Sequence, residues 1–136
     1  MMLRPIAKLA IGVELLLAIG ALGGGLALMA GPHGEIIPLS VSLLSGSPFT
    51  SYFVPGAILL LILGVCPLFV ALLAWRRHRA APLATVASGV ALIIWIAVEI
   101  AIVGYSNHPP LQLAYLALGV AMLLVGMRWS RDAELA

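Results

Sequence analysis

The chain has 136 residues, 63% of them hydrophobic and 9% charged, with a formal net charge of +2. An average soluble domain is about half apolar and about a quarter charged, so this composition excludes a water-soluble globular protein and leaves no length for a separate soluble domain. The small positive excess does not make a nucleic-acid surface, because the seven Lys and Arg residues fall at three separate edges instead of forming one stripe.

Four apolar runs, 6–30, 56–75, 83–104 and 111–127, are each long enough for a hydrocarbon core that takes about 20 helical residues. The expected fold is all-α: a single membrane domain over residues 1–136, built as a four-transmembrane-helix up-down bundle because most connections are short. The first run follows Arg4 and Lys8 as a signal peptide would. It is, however, far longer than an h-region of about 7–15 residues, and no small-x-small cleavage site follows, so it reads as a retained span. The first run carries Gly20, Gly23, Gly24 and Gly25, of which Gly20 and Gly24 stand four apart, a spacing that lets another helix backbone approach closely; Ala84, Ala87, Ser88 and Ala91 in the third run, and Gly119 and Gly126 in the fourth, offer similar surfaces. Pro67 after Gly64 predicts a kink in the second helix. Cys66 is the single cysteine, which excludes an intrachain disulfide or a CxxC redox pair.

Every basic residue lies at one set of helix ends: Arg4 and Lys8, then Arg76, Arg77 and Arg79, then Arg128 and Arg131. Segments 31–55 and 105–110 contain none. The positive-inside rule therefore places both termini and the RRHR loop in the cytoplasm, where the cations meet anionic membrane lipids.

The outer segment 31–55 is too apolar for a linker and too interrupted for a span. It opens on a GPHG turn, continues through EIIPLSVSLL as an extended piece or a short helix lying on the bundle, and passes through GSPFTSYFVPG into the second helix. Irregular backbone at membrane depth must rest on protein or water, so the segment is expected to form an apolar extracytoplasmic cap. Ser47, Thr50 and Ser51 would satisfy backbone N–H groups there, with Phe49, Tyr52 and Phe53 at the interface.

Two carboxylates lie within apolar helices, Glu14 and Glu99, and each is a functional candidate on that ground. With a rise of about 1.5 Å per residue, Glu14 lies roughly 12 Å into the first run and Glu99 roughly 24 Å into the third, close to the outer surface. They should not form one tight pair. Trp95 stands one turn before Glu99 on the same face, Gln112 and Tyr115 share a face of the fourth helix at that depth, and the cap with Tyr52 lies above. The expected ligand-binding set is Glu99, Trp95, Tyr115, Gln112 and Tyr52; the competing role for Glu99 is to anchor the cap. Glu14 reads as a proton-titrating site, or as a carboxylate that reaches cytoplasmic water or pairs with Lys8, Arg76 or Arg128.

His33 and His108 lie in outer loops, with Glu35 near the first, and His78 lies in the inner loop. A zinc site wants three or four ligands with supporting contacts, and bis-histidine haem wants histidines inside the helices, so no metal or cofactor is expected. No GxSxG, HExxH, GxGxxG or P-loop pattern occurs, so no enzyme is expected.

The run GGGLALMAGPHGEIIPLSVSLLSGSPFTSYFVPGAILLLILGVCPL, residues 23–68, resembles a group of small four-helix bacterial integral membrane proteins of unassigned function. WIAVE at 95–99 and LQLAYLALG at 111–119 are similar to the third and fourth helices of that group. The resemblance implies the fold and a bacterial plasma (inner) membrane, and it imports no activity. Some members of that group are expected to carry an amide where this chain has Glu99, which argues against an obligatory proton role there. Small multidrug resistance transporters are similar in size and carry a glutamate in their first helix, as Glu14 does here, but the 25-residue outer segment and the one-sided cations oppose that match.

The first expectation is a non-enzymatic binding or accessory component for a lipid, a hydrophobic small molecule or a partner membrane protein at the outer face. The alternative is a proton-coupled small transporter using Glu14, with Glu99 as a second candidate, working as a homo-oligomer because one four-helix chain is small for a complete pathway. A membrane enzyme built on Glu99 and a loop histidine is the least supported reading.

Overall fold

The computed structural model describes residues 4–38, 40–104 and 111–135. They form helix α1 (Pro5–Ala30), helix α2 (Phe53–Trp75), helix α3 (Ala81–Val103) and helix α4 (Leu111–Leu135). A short 3-10 turn at Val41–Leu44 lies between α1 and α2. Among the described residues, these four helices are long and apolar enough to cross a membrane.

Prolines open the helices where their missing N–H costs nothing. Pro5 starts α1 and Pro82 is the second residue of α3, positions whose N–H groups have no intrahelical partner in any case. Helix α2 begins three residues before the apolar run that announced it, because Pro55 also sits within the first turn and the Ser51 hydroxyl accepts the Phe53 N–H at 3.3 Å. Helix α4 outlasts its apolar run, which stops at Met127. Hydropathy ends there, but helix-forming residues continue, supported by the Arg128–Asp132 pair one turn apart at 3.4 Å.

Pro67 does not break α2. The turn ahead of it widens to a π turn at Leu61–Val65, in which the Cys66 N–H bonds Leu61 O, and regular helix resumes at Cys66. A proline ring crowds the carbonyl four residues back, and an extra residue in the turn gives it room.

Neighbouring helices run antiparallel. Gly25 of α1 meets Gly56 and Leu60 of α2, and further along Leu22 meets Gly64. On the other side Gly89 of α3 meets Gly119 and Leu123 of α4, and Val86 meets Gly126. Ala7 and Ala10 of α1 pack with Ala74 of α2, Ala81 of α3 and Trp129 of α4 at one end. The helices touch in the cyclic order α1, α2, α3, α4, with the diagonals far sparser.

Of the four glycines that the sequence offers on α1, Gly25, and not the Gly20–Gly24 pair, makes the close backbone approach to α2. A Cβ on Gly25 would stand 2.7 Å from Gly56 O, whereas one on Gly24 would meet only a Leu59 methyl at 3.5 Å. Five residues turn a helix by about 140° net, so Gly25 looks at α2 while Gly20 looks at the Tyr115 hydroxyl of α4.

All seven cations gather at one end of the molecule. Arg4 reaches Asp132 at 3.7 Å, and the alanine–Trp129 cluster joins that end of α1 and α4 to the α2–α3 turn carrying Arg76, Arg77 and Arg79. In that turn the Arg77 N–H bonds Ala74 O at 3.1 Å and the His78 N–H bonds Leu73 O at 2.9 Å, the paired bonds of a Schellman cap. Arg77 holds its left-handed position at φ +56°. At the opposite end the 31–52 segment folds back over the helices, burying Leu44 and Tyr52 with Leu28 against Leu59, Ile102 and Val103. Large apolar side chains such as Ile19, Phe69 and Leu83 cover the outside, at 71%, 57% and 67% exposed, as lipid-facing surfaces require.

Gly25→Ala is expected to lower stability by about 1–3 kcal/mol through overpacking. Gly23→Ala, with nothing within 4 Å of the added carbon, should leave it unchanged or raise it by up to about 1 kcal/mol through helix propensity. Thermal or denaturant unfolding in detergent reads both. In the same assay Arg77→Gly should gain about 1–2 kcal/mol by relieving the left-handed residue.

Candidate functional site

Two polar places stand out in an otherwise aliphatic structure. The first lies at the end covered by the 31–52 segment. Helix α3 stops at Gly104, whose φ of +83° turns the chain away, and the last carbonyls of any helix lack intrahelical donors. Gln112, in the first turn of α4, supplies one: its Nε2 donates to Gly104 O at 3.0 Å and to Glu99 Oε2 at 3.2 Å. One amide thus ties the end of α3 to the start of α4 and orients the Glu99 carboxylate, which is half-buried. A carboxylate has about four acceptor positions, so one bond from Gln112 leaves capacity for another donor.

Tyr52 sits above this pair and fixes the covering segment. Its N–H bonds Pro32 O at 2.8 Å, its hydroxyl donates to Ser40 O at 2.9 Å, and its carbonyl accepts the Gly56 N–H at 2.9 Å. Pro32, Ser40 and Gly56 thus all bond one residue, the first and last through its backbone and Ser40 through its buried side chain. Burial first, and then the charge of Glu99 nearby, hold the phenol above its ordinary range, so it stays a neutral donor.

Serines finish the segment locally. Ser40 accepts the Ser42 N–H at 3.2 Å, and Ser47 donates to Leu44 O at 2.7 Å while accepting the Phe49 N–H at 3.2 Å. The EIIPLSVSLL stretch, read as either extended or helical, becomes the 3-10 turn at Val41–Leu44.

Of the residues singled out in the sequence, Glu99 and Gln112 are in direct contact, and Tyr52 is within electrostatic reach of Glu99. Trp95 and Tyr115 pack against the central cluster of Leu17, Ala21, Leu63, Leu92, Ile96 and Met122. Tyr115 directs its hydroxyl to Gly20 of α1. His33 closes a local ring with Glu35, its N–H donating to Oε1 at 2.9 Å. His108 and the 105–110 loop lie outside the described residues. Among the described residues no cluster of three His, Cys, Asp or Glu side chains could hold a metal ion.

The second place is Glu14, in the middle of the molecule. It is 0% exposed, and among the described residues neither carboxyl oxygen has a hydrogen-bond partner. The pairings proposed for it from sequence are not made: Lys8 is exposed on the surface of α1, and Arg128 pairs with Asp132 instead. Its side chain also has no solvent-exposed surface. Its polar neighbour is Ser88 of α3, 7% exposed, though the two do not reach hydrogen-bond geometry. Thr85, one turn away, spends its hydroxyl on Ala81 O at 3.0 Å. Glu14, Thr85 and Ser88 are the buried polar side chains among the described residues. From sequence Ser88 passed as a small packing residue; the signal that could have marked it is its place with Thr85 and Leu92 on one face of an aliphatic helix. Ser88 and Glu99 are eleven residues apart on α3, about 16 Å, so the two places are separate.

No protein-family model, no curated protein and no solved structure matches the chain. The class rests on the fold itself: four candidate spans in one chain are those of a multi-pass membrane protein.

Tyr52→Phe removes the bond to Ser40 and should cost about 0.5–1.5 kcal/mol. Amide hydrogen exchange should rise in residues 40–51 and stay unchanged in α4; equal exchange in both regions would show that the hydroxyl does not hold the segment.

Proposed function

We propose that the protein is a non-enzymatic integral membrane protein of a bacterial plasma membrane that binds a lipid or small hydrophobic molecule at its outer face, as a binding or accessory component. In this reading the four helices are an up-down transmembrane bundle, both termini are cytoplasmic, and the 31–52 segment caps the outer mouth. The orientation follows from the seven cations at one end. The binding role is carried by one observation: a half-buried carboxylate, Glu99, is held in place by Gln112 beside the apolar residues of the covering segment and the ends of the helices.

Such a rim accepts a particular chemistry. Ile102, Val103 and Phe49 offer apolar surface, and the spare acceptor positions of Glu99 offer a place for a hydrogen-bond donor or cation. The matching ligand has an apolar body and a donor-bearing polar end. An intramembrane carboxylate near the interface is costly to maintain, and use in binding is the return on that cost.

Native mass spectrometry of the protein released from mild detergent is the test. Wild type is expected to retain an added mass of lipid or small-molecule size, and Glu99→Leu to lose it with helical content unchanged by circular dichroism. Bare protein in both cases would end this reading, and a retained foreign subunit would replace the small ligand by a partner protein.

A further inference from the structure

We infer that Glu14 is an intramembrane proton-binding site, with Ser88 as its hydrogen-bond partner, and that it takes up and releases its proton as α1 moves against α3. This goes beyond the outer-face reading and does not depend on it, since Glu99 takes no part.

The argument starts from what Glu14 lacks. A carboxylate enclosed in an apolar interior without a counter-charge is among the most expensive arrangements a fold can hold. Here the side chain is 0% exposed and both oxygens are without partners among the described residues. Each helix around it is silent in charge. On α1 itself Arg4 and Lys8 are exposed near the end, ten and six residues before Glu14. On α2 the ionisable Cys66 is exposed and Arg76 lies at the helix end. On α3 Glu99 lies about 16 Å beyond Ser88. On α4 Arg128 and Asp132 engage each other at the end, Arg131 is exposed, and Tyr115 faces Gly20. The resident form is therefore the neutral acid.

The occupant of the site follows from its closure. A sealed carboxyl with no charged neighbour has room for no ligand larger than the proton it already holds. A permanently inert acid would be the alternative, but the two groups needed for exchange are already opposite each other. Ser88 of α3 faces the carboxyl from across the bundle. A change of rotamer brings the acid O–H to the Ser88 oxygen, and after deprotonation the Ser88 O–H donates back to the carboxylate. The step balances simply: the carboxyl O–H bond breaks, its electron pair stays on the carboxylate, and the proton passes to water. Thr85 cannot substitute, because its hydroxyl is committed to Ala81 O.

The fold also localises the motion. Helices α1 and α3 are diagonal and share few contacts, whereas α1 with α2 and α3 with α4 are locked by glycine contacts. A slight separation of the two locked pairs would keep both seams and loosen only the apolar cluster of Leu17, Leu63, Leu92, Ile96 and Met122 between them, and water entering there would reach Glu14.

Infrared difference spectroscopy of the protein in lipid nanodiscs, titrated from acid to alkaline pH, tests this. Wild type is expected to show a neutral-carboxyl carbonyl band that is lost reversibly on alkaline titration, shifts in heavy water, and is absent from Glu14→Gln. Ser88→Ala should move the band to higher frequency and shift its titration, whereas Ser88→Thr should restore both. Two results would overturn the inference: a band insensitive to pH and to heavy water, which describes a sealed structural acid, or no Glu14-dependent band at any pH. Glu14→Gln is close in shape, and circular dichroism confirms that it folds; in wild type, the heavy-water shift alone separates exchange from burial.

Discussion

The close approach of two backbones at Gly25 and Gly56, repeated at Gly89 and Gly119, is the contact from which the rest of the arrangement follows. In an apolar solvent, side-chain burial gives little drive to association, because lipid is as apolar as leucine, and packing must come from proximity. Where a Cβ would stand 2.6–3.0 Å from the facing chain, only glycine lets two helices reach that distance. Two such seams make two locked pairs, α1 with α2 and α3 with α4. The alanine–Trp129 cluster then joins the pairs at the cationic end, and the covering segment joins them at the other.

Satisfaction of backbone polar groups is the second constraint, and it explains where the few polar side chains went. Gln112 bonds a carbonyl at the end of α3, Ser51 accepts an N–H at the start of α2, and Tyr52 binds the covering segment by its N–H and hydroxyl and the first turn of α2 by its carbonyl. In a chain with 9% charged residues, these polar groups near helix ends have backbone tasks.

What could be read in the sequence was what depends on composition and period. The four spans, the one-sided cations and the nearness of Glu99 to Gln112 follow from hydropathy, charge and rise per residue. What depends on rotation about a helix axis was not legible. Gly20 and Gly24 have the right spacing, but the phase of α1 turns Gly25 toward α2. The end of α4 was placed at Met127 because hydropathy marks where lipid stops, not where helix stops. The isolation of Glu14 was also hidden, since its depth alone could not tell whether Lys8, Arg76 or Arg128 would reach it.

The two intramembrane carboxylates show how environment, and not residue type, divides their chemistry. Glu99 is near a helix end, half-buried and reached by the donating amide of Gln112. Glu14 is between helices, where every backbone group is already bonded within its own helix and can offer nothing. On the proposed reading, the same carboxyl serves as a receptor for hydrogen-bond donors in the first setting and as a holder of its own proton in the second. Exchanging these roles would require moving a helix terminus to the centre of the bundle, which an uninterrupted apolar span forbids.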